Sequence, residues 1–182
     1  MTAVAMEALR ARIERASDGA HYNADAGDVV SDLLDALERG DVRAAERGDD
    51  GRWRPVTWVK AGSMLAFRVG ELVEMGRVEG SAFRFFDRRP FSVRDFSVED
   101  GVRIVPGGSI IRRGAHVAAG VICLPPMLIN LGSYVGANTT IDSHALVGTC
   151  AQVGEHVHLS AGAQLGGVLE PAHASPVIVE DH

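Results

Sequence analysis

From Val105 onward the apolar positions of the chain recur at every sixth residue. Val105, Ile111, Val117, Cys123, Ile129, Val135, Ile141, Val147, Val153, Leu159 and Leu165 are all apolar. At a hydrophobic content of 46%, eleven successive hits in one register arise by chance on the order of once in 10⁴. Places four residues later, such as Ala115, Val121, Ala145, Ala151 and Ala163, are mostly small or apolar. Places one residue later include Gly136, Asp142, Gly148, Gly154, Ser160 and Gly166, where small side chains suit a tight corner. A period of six matches neither the 3.6 of a helix nor the 2.0 of a strand. It matches a solenoid in which each hexad gives one short strand and one corner. Three hexads then close a triangular coil, and stacked coils bury the repeated aliphatics in a central column. Coils are predicted at 105–122, 123–140, 141–158 and 159–176. Pro171 interrupts the next step and Val177 resumes it. A sandwich of short strands is the alternative, but its turns would not hold strict phase. The pattern predicts a left-handed parallel β-helix, an exception to the usual right-handed crossover.

The pattern before residue 100 is different. In "MEALRARIERAS" Leu9, Ile13 and Ala16 share a helical face, and in "DVVSDLLDALERGD" Val30, Leu33, Leu34 and Leu37 share another that ends at Gly40. "VRAAERGDDGRWRPVTWVK" reads as two short strands around the Asp50-Gly51 turn, and "AGSMLAFRVGELVEM" as a return to helix. The expected fold is therefore of the α+β class. It has a small α-rich domain over 1–80, a linker over 81–104, and the β-helix over 105–182. The aromatics of "FRFFDRRPFSVRDFSVEDG" are expected to pack the domain junction rather than bind a ligand.

Charge supports this division and narrows the function. All 18 Lys and Arg lie at or before Arg113, while 114–182 carry only acidic residues and histidines. A net charge of −6 argues against nucleic acid as a partner. No apolar run is long enough to span a bilayer, and the first residues lack the apolar core of a signal peptide. Cys123 and Cys150 lack metal-type spacing, so they are read as reduced thiols of a cytoplasmic protein.

Several segments carry a resemblance: "LLDALERGDVRAAE", "FRFFDRRP", "GVRIVPG", "VGTCAQVGEHVHLSAGAQLGGVLEP" and "PVIVED". With them the chain resembles the tetrahydrodipicolinate N-succinyltransferases, within the hexapeptide-repeat acyltransferase superfamily, over almost its whole length. Two departures stand out: His144 replaces a common aromatic, and "SAG" at 160–162 replaces a double glycine. The resemblance implies transfer of a succinyl group from succinyl-coenzyme A to the amine of the opened tetrahydrodipicolinate, in lysine and diaminopimelate biosynthesis. It also implies a homotrimer with sites between subunits, and no permanently bound cofactor. Family members continue for several coils after the "VIVED" motif, and the family's catalytic glutamate lies there. The expectation is therefore of a fragment or a natural truncation, with reduced or no activity, that binds the donor weakly or not at all.

The resemblance also assigns residues. Asp142, in "TTIDSHA", matches the family's substrate-binding, catalytic aspartate; a carboxylate there can orient the amine and take its proton. Arg103 in "GVRIVPG" matches the arginine for the dicarboxylate acceptor, because a guanidinium meets a carboxylate with two parallel hydrogen bonds. Arg112 and Arg113 are weaker candidates. Gly166 and Gly167 either let backbone N–H groups approach the thioester as oxyanion donors or serve only as corner glycines. Glu170 is either structural or lines the cleft. Ligands in adjacent coils should stand 18 residues apart, and no histidine pair does, so no metal is expected. Two other readings remain open: a transferase using acetyl-coenzyme A, and a non-catalytic trimeric module.

Overall fold

The computed structural model describes residues 1–18, 26–77 and 82–182. Helices α1 (Ala3–Asp18), α2 (Ala26–Glu38) and α3 (Thr57–Val69) form the N-terminal domain. They pack as their patterns require: Leu9 and Ile13 of α1 are buried one turn apart, and α2 buries Val29, Val30, Leu33, Leu34 and Leu37 on one face. Strands β1 (Ala45–Arg47) and β2 (Trp53–Pro55) form the hairpin expected around Asp50-Gly51.

Two boundaries differ from expectation. The second strand stops at Pro55, and "TWVK" opens helix α3, which buries Val59, Lys60, Ser63, Leu65 and Ala66 at helical spacing. That helix ends at Val69. Gly70 is extended, and "LVEM" belongs to β3 (Leu72–Arg77), which pairs antiparallel with β4 (Arg84–Arg88) through a bulge at Glu74–Gly76. A Cβ on Gly70 would lie 2.5 Å from Pro90 Cδ, so the chain can turn there only because Gly70 has no side chain. The segment read as a linker thus contains β4, two 3-10 turns and, at its end, the first strand of the β-helix. The boundary expected near residue 80 lies outside the described residues. Of the segment's aromatics, Phe91 is buried against Phe67, and Phe96 packs under the β-helix column. Phe85 and Phe86 are exposed, which departs from the junction role expected of them.

Three parallel sheets follow, in the architecture expected of a left-handed hexapeptide β-helix. The first face stacks β5 (Arg103–Ile104), β8 (Ile122–Cys123), β11 (Thr140–Ile141) and β14 (His158–Leu159). On the second lie β6 (Ile110–Ile111), β9 (Leu128–Ile129), β12 (Leu146–Val147) and β15 (Gln164–Leu165). The third holds β7 (His116–Val117), β10 (Tyr134–Val135), β13 (Gln152–Val153) and β16 (Ile178–Val179). The second residue of each strand points inward, and Ile111, Val117, Cys123, Ile129, Val135, Ile141, Val147, Val153 and Leu159 form the buried column.

The repeat slips twice. Ile104, not Val105, stands on the rung of Cys123, so one extra residue lies between β5 and β6. Val179, not Val177, stands on the rung of Val153, 26 residues on, where the other coils between β6 and β15 advance by 18. Residues 166–177 therefore contain an eight-residue insertion at the corner between the second and third faces. Corner geometry also differs from the sequence reading. At eight corners the left-handed residue is the third after the inward one: Gly114, Gly120, Gly132, Asn138, His144, Cys150, His156 and Gly162 all have positive φ, while Pro126 takes that place after Cys123. The glycines one place after the aliphatic answer a different need, since a Cβ on Gly136 would lie 2.6 Å from the Gly154 backbone of the next coil.

The helical domain docks on the third face and its neighbouring corner. Its core includes Leu131 and Cys150 of the β-helix, with Leu169 packed against it. Arg43 lies over the Tyr134 ring at 3.6 Å and donates from Nε to Gln152 Oε1 at 2.9 Å. His116 stacks on Tyr134, and its Nδ1 lies 2.8 Å from the Glu38 carbonyl. This docking leaves Arg103 and His158 exposed on the first face.

Candidate active site

Asp142 follows Ile141, whose side chain fills the column, so the aspartate begins the corner between the first and second faces. Its backbone N–H donates to the Leu159 carbonyl in the next coil. Oδ1 accepts the Ser143 N–H at 2.7 Å, and Oδ2 lies 3.5 Å from His158 Nε2. The carboxylate is half-buried and the imidazole exposed. One oxygen is therefore fixed by the corner, while the other can meet a ligand.

Arg103 lies on the same face. It shares a rung with Ile122, and the next two outward residues up that sheet are Thr140 and His158. Two rungs separate Arg103 from Thr140, or about 10 Å at ordinary strand spacing. The guanidinium has no partner among the described residues. Arg112, by contrast, is paired with Asp87, and Arg113 donates to Asp35 and Ser31. The three arginines thus divide into one free group and two structural ones.

Gly166 and Gly167 sit at another corner, after β15, where the insertion leaves the coil. A Cβ on Gly148 would lie 2.4 Å from the Gly167 nitrogen, so these two segments approach as only glycines allow. Both residues are exposed, and neither N–H is hydrogen-bonded among the described residues. They are available donors. The whole second face separates them from Asp142, whereas Arg103 and Asp142 stand two rungs apart, on the first face and at the corner that follows it.

Two features were missed from sequence. The 18-residue spacing between histidines does not single out His158, whose neighbour on the preceding coil is the Asp142 carboxylate. The insertion also carries His182 onto His156, with ring centroids 5.3 Å apart, a pair that a strict 18-residue step excludes. Neither cysteine is a nucleophile: burial pushes both thiols up to about 12. No described helix is long and apolar enough to cross a membrane.

A three-faced β-helix of hexads, with a carboxylate and a free guanidinium on its open face, defines a hexapeptide-repeat protein. Residues 7–69 match the family model described as tetrahydrodipicolinate N-succinyltransferase N-terminal. Relatives named 2,3,4,5-tetrahydropyridine-2,6-dicarboxylate N-succinyltransferase match most of the chain. One from Paramagnetospirillum magneticum is 43% identical, over 85% of this chain and 55% of its own length. One from Polynucleobacter asymbioticus is 40% identical, over 87% and 58%. One from Sodalis glossinidius is 38% identical, over 97% and 66%. Over most of its length the chain is similar to tetrahydrodipicolinate N-succinyltransferases, and it spans 55% to 66% of the length of these curated relatives.

Proposed function

We propose that this chain forms the acceptor side of a coenzyme A-dependent N-succinyltransferase acting on an amino dicarboxylate, the opened form of tetrahydrodipicolinate. The observation that carries this reading is an unpartnered Arg103 on the first face, two rungs from the free carboxylate oxygen of Asp142 at the corner that follows it. A carboxylate of the acceptor lies against Arg103, and its amine lies at the free oxygen of Asp142. The amine lone pair attacks the thioester carbonyl of succinyl-coenzyme A. The C–N bond forms as Asp142 accepts the nitrogen's proton, a contribution of roughly 10²–10⁴ in rate for a well-placed base. The oxyanion formed at the carbonyl carbon is met by the Gly166 and Gly167 N–H groups. Collapse of that intermediate breaks the C–S bond, and the coenzyme leaves as a thiolate that takes up a proton.

Because the glycine donors lie a full face away from Asp142, the site is completed between copies of the chain, which accords with a homotrimer. The family relationship favours diaminopimelate and lysine biosynthesis, and with it a cytoplasmic location. Release of free thiol, measured with succinyl- and acetyl-coenzyme A, with and without the acceptor, tests the reading. The expected result is acceptor-dependent release with the succinyl donor. Release with acetyl-coenzyme A alone would reassign the donor, and none with either donor from a folded assembly would leave a non-catalytic module.

A further inference from the structure

Lys60 is the one lysine of the chain, and its side chain is wholly buried. It projects from helix α3 toward the insertion, where Nζ donates to the Ala174 carbonyl at 2.5 Å and the Pro171 carbonyl at 3.2 Å. No carboxylate pairs with it among the described residues. Burial pushes its pKa below the ordinary lysine value. An ammonium kept out of water without a counter-charge is costly, and an apolar side chain would fill the same space. What the ammonium supplies here is donors. The Pro171 carbonyl already takes the Ala174 N–H, and Lys60 ties both carbonyls of this turn to the helical domain.

The tie acts on a particular segment. The insertion has two further anchors: the Val168 N–H donates to the Thr149 carbonyl, and Leu169 packs on the helical core. Gly166 and Gly167 lie between the end of β15 and these anchors, and their own N–H groups hold nothing.

We propose that Lys60 is a positioning residue for the acyl-donor segment, fixing from the helical domain the turn that keeps the Gly166 and Gly167 N–H groups in place. The functional part rests on the reading of those glycines as oxyanion donors; the latch itself does not. The helical domain thus supplies a cationic donor to a part of the β-helix that has none of its own, since 114–182 contain no Lys or Arg.

Amide hydrogen exchange of the full chain and of Lys60→Met tests the latch. Met keeps the length and loses every donor. In Lys60→Met the Val168 and Ala174 amides should exchange at least about tenfold faster while β12 amides stay unchanged. No change at those two amides, or an equal rise everywhere, would overturn the latch. Should Lys60→Met not fold, the unaltered chain decides: Val168 and Ala174 amides should open together with α3 amides as urea is added, and free exchange of either would overturn the latch. The donor role has its own readout. Succinyl-coenzyme A should shift the Gly166 and Gly167 amide resonances, and Lys60→Met should weaken that response without altering the response of Asp142 and Arg103 to a seven-carbon dicarboxylate. An unchanged donor response in the variant would overturn the positioning role. Absence of any donor shift in the unaltered chain would overturn the donor reading, with the latch still judged by exchange alone.

Discussion

Gly162→Ala should destabilise the chain by about 1 kcal/mol, and the structure says why the figure is small. Gly162 turns a corner at φ +77, and a Cβ there would meet nothing within 4 Å. Only the left-handed conformation opposes the methyl group, at about 1–2 kcal/mol, offset by about 0.4–1 kcal/mol from the stiffer unfolded chain. Gly120 supplies the comparison. Its φ is +79, but a Cβ would lie 2.2 Å from Asn138 Oδ1 and 3.3 Å from the Asn138 backbone nitrogen. Gly120→Ala therefore adds crowding of roughly 1–3 kcal/mol to the same conformational cost. His144→Gly reverses the sign. His144 holds φ +61 with an exposed side chain, and its recorded hydrogen bonds are made by its backbone, so glycine should stabilise by about 0.5–1 kcal/mol. Urea denaturation at constant m reads all three, and each 1 kcal/mol moves the melting temperature by about 2–4 °C in a chain of this size. The corner account fails if Gly162→Ala costs nothing or if it costs as much as Gly120→Ala.

Asp142→Asn should lower turnover by roughly 10²–10⁴ while leaving the assembly intact by size-exclusion chromatography, and near-normal turnover would remove Asp142 from the mechanism. Arg103→Lys should raise the Michaelis constant for the dicarboxylate by about tenfold and leave that for the donor unchanged, because one ammonium replaces a two-pronged contact; an equal rise for both would point to a folding role. His158→Gln should cost about two- to fivefold in turnover, the scale of an exposed polar contact, and a loss as large as that of Asp142→Asn would make the imidazole an essential group. Burial holds the His116 pKa below its usual 6.5, outweighing the opposing hydrogen bond to Glu38, with Arg94 and Arg43 lowering it further. The unfolded chain then takes up the proton first, so stability should be complete above about pH 6.5 and fall as the pH drops below it. His116→Phe should flatten that slope, and an unchanged slope would assign it to other groups.

The hexad register was legible because a buried column tolerates no polar residue, so the apolar positions from Ile111 to Leu165 announce themselves in the bare sequence. Asp142 and Arg103 stand out only through motifs, and the rung of Arg103 was not legible, because one extra residue between β5 and β6 puts Ile104 where the hexad register expects Val105. The helix-to-strand change after Val69 was not. Leu72, Val73 and Met75 suit either period, and the outcome is set by Gly70 against Pro90 and by the partner strand at 84–88. The insertion was hidden by coincidence: Val177 keeps the six-step phase, yet Val179 occupies the rung. Corner residues escaped because only some are glycine; His144, Cys150 and His156 adopt the same left-handed turn without the usual signature.

The shared core between the two domains changes how the molecule can come apart. A stack of coils joined only rung to rung loses its outermost turn at little cost and unravels stepwise. Here Leu131, Cys150 and Leu169, from three successive levels of the stack, are embedded in one helical core. The helical domain acts as a splint laid lengthwise across those levels. Prising off the outermost of them would expose the splint's own interior, so the levels it spans must melt as one cooperative unit instead of as a series of independent steps.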